Sequence, residues 1–316
     1  MKTVFIIDEI SSLKVATDTS LLFMQEACKR GHQVYAVTPQ GMFFDGELKA
    51  LAVQVEVNLS EEPVFEVANE GILNLKDADL CFIRKDPPVD DLYVAMLQLL
   101  SSLERTTKTI FVNPPAAVLR SNEKLYCLDH PEAMPRTLIT SDMQRILDTV
   151  ASSLTPMVIK PTNEFGSRGI YILQAEDKNL KALVNSATNQ GQDYVIVQEF
   201  LEDVFQGDKR VFFLEGKVVG VVSRVPQDGE FRCAVSLGSK LKLTSLTESE
   251  SRICEDLGKT FLRDGMIFVG IDIIGGRLIE MNVTSPTLVR QFNELAERNL
   301  EKELFDVLEE KTQRKG

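Results

Sequence analysis

Histidine is scarce in this chain, with only His32 and His130 among 316 residues. Neither has a plausible nucleophile beside it, which disfavours a Ser-His-acid hydrolase and a histidine-rich zinc enzyme. The five cysteines are odd in number, scattered and without Cys-x-x-Cys spacing. This usage favours reduced thiols over a disulfide or zinc framework. The chemistry must therefore depend on carboxylates and cations.

Positive charge is also in short supply, because 35 lysines and arginines stand against 47 acidic residues and give a net charge of −12. Such a surface is not expected to attract nucleic acid or anionic lipid. No apolar run is long enough for a membrane helix, and the opening MKTVFIIDEI lacks the pattern of a secretory signal. We therefore expect a cytoplasmic protein, with no nucleic-acid or membrane partner, whose anion-binding groups are concentrated in a pocket.

The chain does contain a clear alternation of strand-like and helix-like segments, typical of α/β and α+β architecture. Up to about residue 113 the pattern predicts a small α/β domain with a mostly parallel sheet, and two prolines then mark its edge. A helix over 122–130, a helix over 141–153 and strands at 157–161 and 194–201 predict a second lobe. The predicted domains are residues 1–118, 119–198 and 199–316.

Residues 268–287, FVGIDIIGGRLIEMNVTSPT, carry the most informative pattern, that of a β-hairpin. A three-residue loop of Ile274, Gly275 and Gly276 would place three oxygen-bearing side chains on one face. These are the hard ligands that hold Mg²⁺ together with substrate phosphates, although an isolated pattern of this kind also suits the wet face of a sheet. The proposed metal ligands are Asp272, Glu280 and Asn282. The opposite, apolar face is expected to consist of Ile271, Ile273, Ile279, Met281 and Val283.

Several other polar residues occur where phosphate or a nucleotide base could bind. Lys160 ends a strand, and the turn TNEFGSRG that follows has glycines whose amides could cover phosphates, although an ordinary hairpin loop fits equally well. Gln198 and Glu199 end another strand, where free backbone groups could meet adenine. Arg84 follows a parallel strand, at the sheet edge where α/β proteins bind ligands. Arg224 and Arg232 flank a Pro-Gln-Asp-Gly turn and could hold carboxylates.

With these residues laid out, the chain resembles the bacterial glutathione synthetase family of the ATP-grasp superfamily. The similar blocks, in the family's order, are RKDPP at 84–88, NEKL at 122–125, GDKRV at 207–211, RVPQDGEFR at 224–232 and the hairpin at 268–287. The resemblance implies an ATP-grasp fold preceded by a small pre-ATP-grasp α/β domain. It also implies ligation of γ-glutamylcysteine to glycine through an acyl phosphate, with ATP and Mg²⁺ (Mn²⁺ as an alternative) as cofactors, and a homotetramer.

The resemblance further implies a role for each matching residue. The catalytic residues would be Arg210 and Arg224. The ATP-binding residues would be Lys124, Lys160, Gly166, Gly169, Gln198, Glu199 and Leu201, with Asp208 near the ribose. The metal ligands would be Asp272, Glu280 and Asn282. The substrate-binding residues would be Asp18, Arg84, Arg210, Arg224, Arg232, Ser285 and Thr287.

Two loops depart from the family pattern. The phosphate lid is glycine-rich in the family, whereas TNEFGSRG retains only Gly166 and Gly169. After Arg232 the family usually has an asparagine and a pair of small residues ending in two glycines, whereas CAVSLGSK has only Gly238. These departures leave three alternatives open: a ligase with another amine or γ-glutamyl donor, a non-catalytic Mg-ATP-binding paralogue, and a structural protein that binds no nucleotide.

Overall fold

The computed structural model describes residues 1–164 and 166–315. The first part of the chain forms β1 (Lys2–Ile6), α1 (Thr19–Lys29), β2 (Gln33–Asp45), β3 (Glu47–Val57), β4 (Phe65–Asn74), β5 (Leu80–Ile83), α2 (Asp91–Glu104), β6 (Ile110–Val112) and α3 (Pro115–Arg120). The middle part forms β7 (Thr137–Thr140), α4 (Met143–Ala151), β8 (Met157–Pro161), β9 (Tyr171–Leu173), α5 (Leu180–Ala187) and β10 (Val195–Glu199). The last part forms β11 (Asp208–Leu214), β12 (Lys217–Val225), β13 (Lys240–Leu243), α6 (Glu248–Arg263), β14 (Phe268–Ile274), β15 (Arg277–Asn282), α7 (Val289–Ala296) and α8 (Leu300–Lys315).

The first sheet has the strand order β4-β3-β2-β1-β5-β6. Its four strands β2, β1, β5 and β6 run parallel, as the alternating pattern predicts, whereas β3 and β4 are added antiparallel. The first helix begins where Asp18 accepts hydrogen bonds from the backbone N–H groups of Ser20 and Leu21. This N-cap satisfies donors that the first turn of a helix leaves free, and it fixes Asp18 at the carboxyl edge of the sheet.

The other two sheets are antiparallel, with strand orders β7-β10-β8-β9 and β13-β12-β11-β14-β15. In α4 and α5, Ile146 and Val184 are fully buried and pack in one cluster with the inward side chains of the middle sheet. Thr247 and Glu250 form a capping box that starts α6. The middle sheet therefore buries one face under amphipathic helices, whereas the first sheet is covered on both faces, since Phe5 and Val4 of β1 belong to different core clusters.

The first and third sheets share one hydrophobic core, whereas the middle sheet has a separate one. Phe305 of α8 stacks on Phe82 of β5 with ring centroids 5.5 Å apart, and Phe23 of α1 meets Phe268 of β14 edge-on at 5.7 Å. The last helix thus covers the first sheet. Buried aromatic rings contribute large apolar areas, so this core joins the two ends of the chain.

Asn113 also joins the first and third sheets. Its side-chain amide donates to the carbonyls of Phe268 and Val283 at 2.7 and 2.8 Å. Its Oδ1 accepts from the backbone N–H groups of Ile267 and Phe268 at 2.8 and 3.0 Å. Asn113 is 2% exposed, so all four hydrogen bonds form away from water. A fully satisfied buried amide of this kind fixes one arrangement of the two sheets.

The prediction of a helix over residues 122–130 is wrong. This segment has only a 3-10 turn at Tyr126–Asp129. Asn122 Oδ1 instead accepts from the backbone N–H groups of Lys124 and Leu125. The segment is held by contacts with distant parts of the chain, including a hydrogen bond from Met281 N to Glu123 O of 2.8 Å. Tertiary bonds therefore override its helical pattern.

The hairpin of β14 and β15 is present, but its predicted three-residue loop is wrong. Ile274 pairs with Arg277, so the turn is the two residues Gly275 and Gly276, with φ values of 53° and 73°. Positive φ at both positions is typical of the tight turn that glycine permits. A β-bulge between Asp272 and Ile273 shifts the strand register by one residue, so that Asp272 still pairs with Glu280 as predicted. The bulge puts Leu278 in the core, whereas Ile279 lies at the cavity described below and not on the apolar face.

Among the described residues, no helix combines the length and the apolar character needed to cross a membrane.

Candidate active site

One cavity of about 860 Å³ collects residues from all three parts of the chain. Of the residues predicted from the sequence, all but Arg84 and Gly169 line it. Those that it brings together are Asp18, Lys124, Lys160, Gly166, Gln198, Glu199, Leu201, Asp208, Arg210, Arg224, Arg232, Asp272, Glu280, Asn282, Ser285 and Thr287. A cavity of this size accommodates a nucleotide and a small peptide.

Strand register places the charged residues of the third sheet in direct contact. Arg210 of β11 lies opposite Asp272 of β14 and donates from Nε and Nη2 at 2.6 and 3.1 Å. Arg224 of β12 lies opposite Asp208 and donates to its two oxygens at 2.6 and 2.5 Å. Arg224 Nη2 also lies 3.0 Å from Asp272 Oδ2. These four side chains are called the Asp-Arg quartet below.

The quartet is largely buried: Asp208, Arg210 and Asp272 are 7%, 4% and 5% exposed. Burial alone would raise the pKa of Asp272, but the guanidinium groups of Arg210 and Arg224 override that effect and hold the pKa well below its usual value. Asp272 is therefore ionised at every physiological pH. An ionised carboxylate facing the cavity is a prerequisite for a metal ligand.

The proposed metal ligands have a donor set that fits Mg²⁺. Asp272 and Glu280 are cross-strand partners, and Asn282 Nδ2 lies 3.5 Å from Asp272 Oδ2. All three line the cavity. No group of three or more His, Cys, Asp or Glu side chains within the described ranges forms a complete metal cage. Two carboxylates and one amide oxygen are instead the partial set that Mg²⁺ accepts when substrate phosphates complete its coordination.

The two predicted phosphate lysines flank this oxygen set. Lys124 Nζ lies 3.2 Å from Glu280 Oε1 and donates to the Glu164 carbonyl at 2.5 Å. Lys160 Nζ donates to the Ile279 carbonyl at 3.4 Å. Burial lowers the pKa of Lys160, and the charge of Glu280 opposes that shift. Two cations at the rim of a carboxylate cluster are suited to bind anionic oxygens that bridge to a metal.

The end of β10 supplies the predicted base-binding wall. Gln198 is 4% exposed, and its Nε2 donates to Thr137 Oγ1 at 2.9 Å. The Glu199 N–H already donates to the Arg136 carbonyl, so it is not free for a ligand. Phe200 packs edge-on against Phe231 with ring centroids 6.0 Å apart. This contact attaches the loop at 226–240 to the base-binding wall.

The predicted phosphate lid turns sharply at its glycines. Gly166 and Gly169 have φ values of 62° and 66°. A Cβ on Gly169 would lie 3.2 Å from Pro161, so this glycine lies against the strand end and is not a cavity residue. Phe165, the bulkiest departure in this loop, lies outside the described residues. The lid therefore keeps backbone conformations that favour glycine at both positions where the sequence retains it.

On the side of the first sheet, Arg84 lies behind the cavity wall. Its Nε donates to Ser20 Oγ at 3.1 Å, its guanidinium carbon lies 5.5 Å from the Phe23 ring centroid, and it is 5% exposed. Ser285 Oγ donates to the Arg84 carbonyl at 3.4 Å. The Thr287 carbonyl accepts from Arg210 Nη1 at 3.4 Å. Arg84 thus supports the wall to which the 284–287 segment belongs.

The loop at 226–240 closes another side of the cavity. Arg232 donates to both oxygens of Glu230, at 3.0 and 2.7 Å, and these bonds lower the pKa of Glu230 to about 2. Cys233 and Ala234 line the cavity beside Arg232. Burial raises the pKa of the Cys233 thiol to about 12. The thiol is therefore a packing group here and not a nucleophile.

Glu123 and Gln291 are among the cavity residues that the sequence analysis did not assign to the site. Glu123 Oε1 accepts from Thr284 N and Oγ1 at 3.2 and 2.6 Å, which ties the 122–125 block to the metal hairpin. Burial and the charge of Glu280 raise the pKa of Glu123. Gln291 of α7 has a buried Oε1 without a hydrogen-bond partner in the described part of the chain. Glu123 could have been found from its place in NEKL, whereas Gln291 gives no sequence signal.

Comparison with known proteins agrees with the fold. Residues 1–120 match the N-terminal domain, and residues 123–297 match the ATP-grasp domain, of prokaryotic glutathione synthetase. The glutathione synthetase of Gloeobacter violaceus is 37% identical over 99% of this chain and 98% of its own. That of Thermosynechococcus vestitus is 35% identical over 93% of this chain and 95% of its own.

Solved structures share the fold at lower identity. The ATP-grasp ligase PsnB, complexed with minimal precursor, Mg and ADP, has a TM-score of 0.62 and 18% identity, covering 99% of this chain and 98% of its own. The D-cycloserine synthetase DcsG has a TM-score of 0.64 and 16% identity, covering 96% and 99%. Both matches extend over the whole architecture of three sheets. The chain belongs to the prokaryotic glutathione synthetase family and has an N-terminal domain followed by an ATP-grasp domain.

Proposed function

We propose that this chain is an ATP-dependent ligase that joins γ-glutamylcysteine to glycine. The observation that carries the proposal is the contact between the phosphate side and the substrate side of one cavity. Lys124 reaches Glu280, which lies opposite Asp272 on the neighbouring strand, and Asp272 is bonded to Arg210 and Arg224. The names and full-length identity of the relatives support the choice of substrates.

The proposed reaction has two steps. A carboxylate oxygen of the dipeptide attacks the γ-phosphorus of ATP, the bond to ADP breaks, and an acyl phosphate forms. The glycine amine then attacks the acyl carbon, phosphate leaves, and the amine gives up a proton. No protein nucleophile is needed. This suits the cavity wall, where Cys233 is the one thiol among the described residues and has a pKa of about 12.

The side chains of the cavity would act by position and charge. Lys124 and Lys160 would offset charge on the transferring phosphoryl group. Arg210 and Arg224 would hold the substrate carboxylate and then the acyl phosphate, because guanidinium groups match both anions in geometry. Bound Mg²⁺, or Mn²⁺ with the same preference for oxygen, would neutralise phosphate charge and would be held by Asp272, Glu280 and Asn282.

The location and assembly of the protein are also proposals. A cytoplasmic enzyme is supported by the five free cysteines, of which all but Cys28 are buried. A homotetramer is supported by the family resemblance alone, and sedimentation analysis of the purified chain would test it.

The loop at 226–240 favours one alternative within the same reaction class. Ala234 and Ser236 line the cavity at the position where the family sequence has an asparagine and small residues. An altered loop at a cavity wall changes which donors and acceptors the amine substrate meets, and so a different amine is the second candidate. Ala234→Asn with Ser239→Gly would then move the preference towards glycine.

The test is ADP release from Mg-ATP with γ-glutamylcysteine and glycine, with each substrate omitted in turn and a small panel of other amines. Strict dependence on both partners supports glutathione synthesis. Dependence on the dipeptide with a preference for another amine supports the second candidate. Saturable Mg-ATP binding without turnover on any pair would overturn both and leave a non-catalytic paralogue. The Glu280→Gln variant provides the inactive control for contaminating ATPases.

A further inference from the structure

We infer that Glu123 is a positioning residue that holds Asn282, the proposed amide ligand of the metal. The inference rests on the proposed function, because it concerns the metal set of that site. Asn282 is the last residue of β15, where the ladder between β14 and β15 ends. Strand pairing therefore supports the chain before Asn282 but not the chain after it. Groups that orient a metal ligand commonly change metal affinity by about 10–100-fold when they are removed.

Glu123 contacts the chain on both sides of Asn282. Its backbone carbonyl accepts a hydrogen bond from Met281 N at 2.8 Å. Its Oε1 accepts from Thr284 N at 3.2 Å and from Thr284 Oγ1 at 2.6 Å. These three hydrogen bonds are called the Glu123 clamp below. Because the clamp holds the backbone before and after Asn282, it restricts where the side chain of Asn282 starts.

The clamp is itself held in place. Asn122 Oδ1 accepts from the backbone N–H groups of Lys124 and Leu125 at 3.0 and 3.1 Å. These bonds fix the turn that presents Glu123. Thr284 is 5% exposed, so water does not readily replace its hydrogen bonds to the Glu123 carboxylate. Hydrogen bonds that are shielded in this way confine the groups they join.

The side chain of Asn282 presents an oxygen without a partner. Its Nδ2 lies 3.5 Å from Asp272 Oδ2, and its Oδ1 makes no hydrogen bond to any residue that the structure describes. Asn282 lines the cavity, so this oxygen is available to a cation there. Because Mg²⁺ requires nearly ideal octahedral geometry at about 2.0–2.1 Å, a small shift of the backbone at Asn282 would weaken the metal site.

Direct ligation of the metal by Glu123 is the rival role. Glu123 lines the cavity, and its Oε2 has no hydrogen bond within the described part of the chain. If Glu123 were a ligand, its removal would weaken metal binding whether or not the Asn282 amide is present. If Glu123 acts through Asn282, its removal has no effect once that amide is gone. The two roles are thus separated by a double-mutant cycle.

The metal affinity is measured with Mn²⁺ and a saturating non-hydrolysable ATP analogue, without dipeptide or glycine. The electron paramagnetic resonance signal of free Mn²⁺ gives the dissociation constant. We expect Glu123→Ala, which removes the side-chain part of the clamp, to raise this constant about 30-fold. Glu123→Gln keeps one oxygen that accepts from Thr284 and should raise it less than about 3-fold. Equal losses in the two variants would show that the charge matters and not the clamp, and would overturn the inference.

Thr284→Val tests the clamp from its other side and serves if Glu123→Ala does not fold. It removes the hydroxyl and keeps the shape, so the Mn²⁺ constant should rise about 5-fold, and Thr284→Ser should restore it. Thr188→Val is the matched control. Thr188 is fully buried, donates from Oγ1 to the Val184 carbonyl at 2.8 Å and does not line the cavity. Equal Mn²⁺ constants in the two valine variants would overturn the inference.

The double-mutant cycle uses Asn282→Ala. In that background Glu123→Ala should change the Mn²⁺ constant less than about 2-fold, because the group that Glu123 positions is absent. A loss of about 30-fold in both backgrounds would identify Glu123 as a ligand and would overturn the positioning role.

A measurement without metal or nucleotide separates this inference from the proposed function. The amide hydrogen of Thr284 should exchange with solvent at least about 10-fold faster in Glu123→Ala than in the wild type. Unchanged exchange would overturn the clamp. The expected exchange and cycle in a protein that joins no γ-glutamylcysteine to glycine would overturn the proposed function and keep the positioning role. Turnover of that pair with equal losses in the cycle would do the reverse.

Discussion

Arg210 and Asp272 lie directly opposite each other on adjacent strands and are joined by hydrogen bonds of 2.6 and 3.1 Å. Asp272 is consequently 5% exposed, and it does not lie on the wet sheet face that its sequence pattern also suits. A proposed metal ligand thus has a second role as the counter-ion of two arginines. Its removal has consequences for the fold that removal of Glu280 does not share.

Asp272→Asn and Glu280→Gln should both reduce turnover by about 1,000-fold or more, since each would remove a metal ligand. Their stabilities should differ. Asp272→Asn leaves Arg210 and Arg224 buried without their shared charge and should lower the free energy of unfolding by about 3 kcal/mol. Glu280→Gln disturbs one ion pair at the cavity wall and should cost less than about 1 kcal/mol. Urea unfolding checks this difference, and equal stability losses would contradict it.

Gly270→Ala should impair catalysis by displacing Arg210. A Cβ at this position would lie 3.1 Å from Arg210 Cδ and 3.3 Å from Pro286 Cβ. Overpacking of this kind costs about 1–3 kcal/mol and shifts neighbouring side chains. We expect kcat/KM for the dipeptide to fall about 10-fold or more, as steady-state kinetics would show. Gly71→Ala is the matched control, because nothing lies within 4 Å of its added Cβ. Equal kinetics in the two variants would refute the explanation.

Asn113→Asp should destabilise the junction between the first and third sheets. The substitution replaces an amide that donates to two carbonyls with a carboxylate that faces them. A buried charge with two acceptors against it should lower the free energy of unfolding by about 3–5 kcal/mol. Thermal unfolding measures this loss. Asn69→Asp on the exposed strand β4 provides the control and should stay within about 0.5 kcal/mol of the wild type.

Stability should depend on pH through His32. Its Nδ1 and Nε2 contact Thr3 and Glu309, and burial lowers its pKa. The unfolded state therefore binds more protons than the folded state as the pH falls through about 6.5, and the free energy of unfolding declines there. Urea unfolding at pH 7.5 and 5.5 should show a smaller decline in His32→Gln than in the wild type. Equal declines would show that this histidine does not contribute.

The patterns that predict structure well here are long and simple. The alternation of apolar runs predicts the parallel strands β2, β1, β5 and β6, because buried strands need continuous apolar segments. Strand β4 was not predicted. Its sequence FEVANEGILN is mostly exposed and mixes apolar and polar residues without a strict alternation. No period identifies it, and it exists because β3 offers a free edge. Pairing of that kind is not visible in the segment itself.

The site was harder to predict in detail than in outline. Most of the residues predicted from residue type and spacing do line one cavity. The predicted helix over 122–130, however, is not present. The side chains of Glu123 and Lys124 in this segment instead contact Thr284 and Glu280, which are distant in sequence. The bulge after Asp272 likewise depends on how β15 pairs, and not on the turn alone. Predictions from local sequence patterns fail where side chains form long-range contacts within the site.

The stacking of Phe305 on Phe82 affects how the protein is made. The first sheet is translated early. Leu304, Phe305 and Leu308 of its covering helix belong to the same core as Phe5 but come more than 200 residues after Phe82 in the chain. At a translation rate of about 5–20 residues per second, Phe305 is synthesised roughly 10–45 s after Phe82. During that time the nascent chain presents an uncovered apolar face, which is the kind of surface that chaperones bind. The N-terminal domain is therefore expected to complete its folding only after the covering helix has been translated.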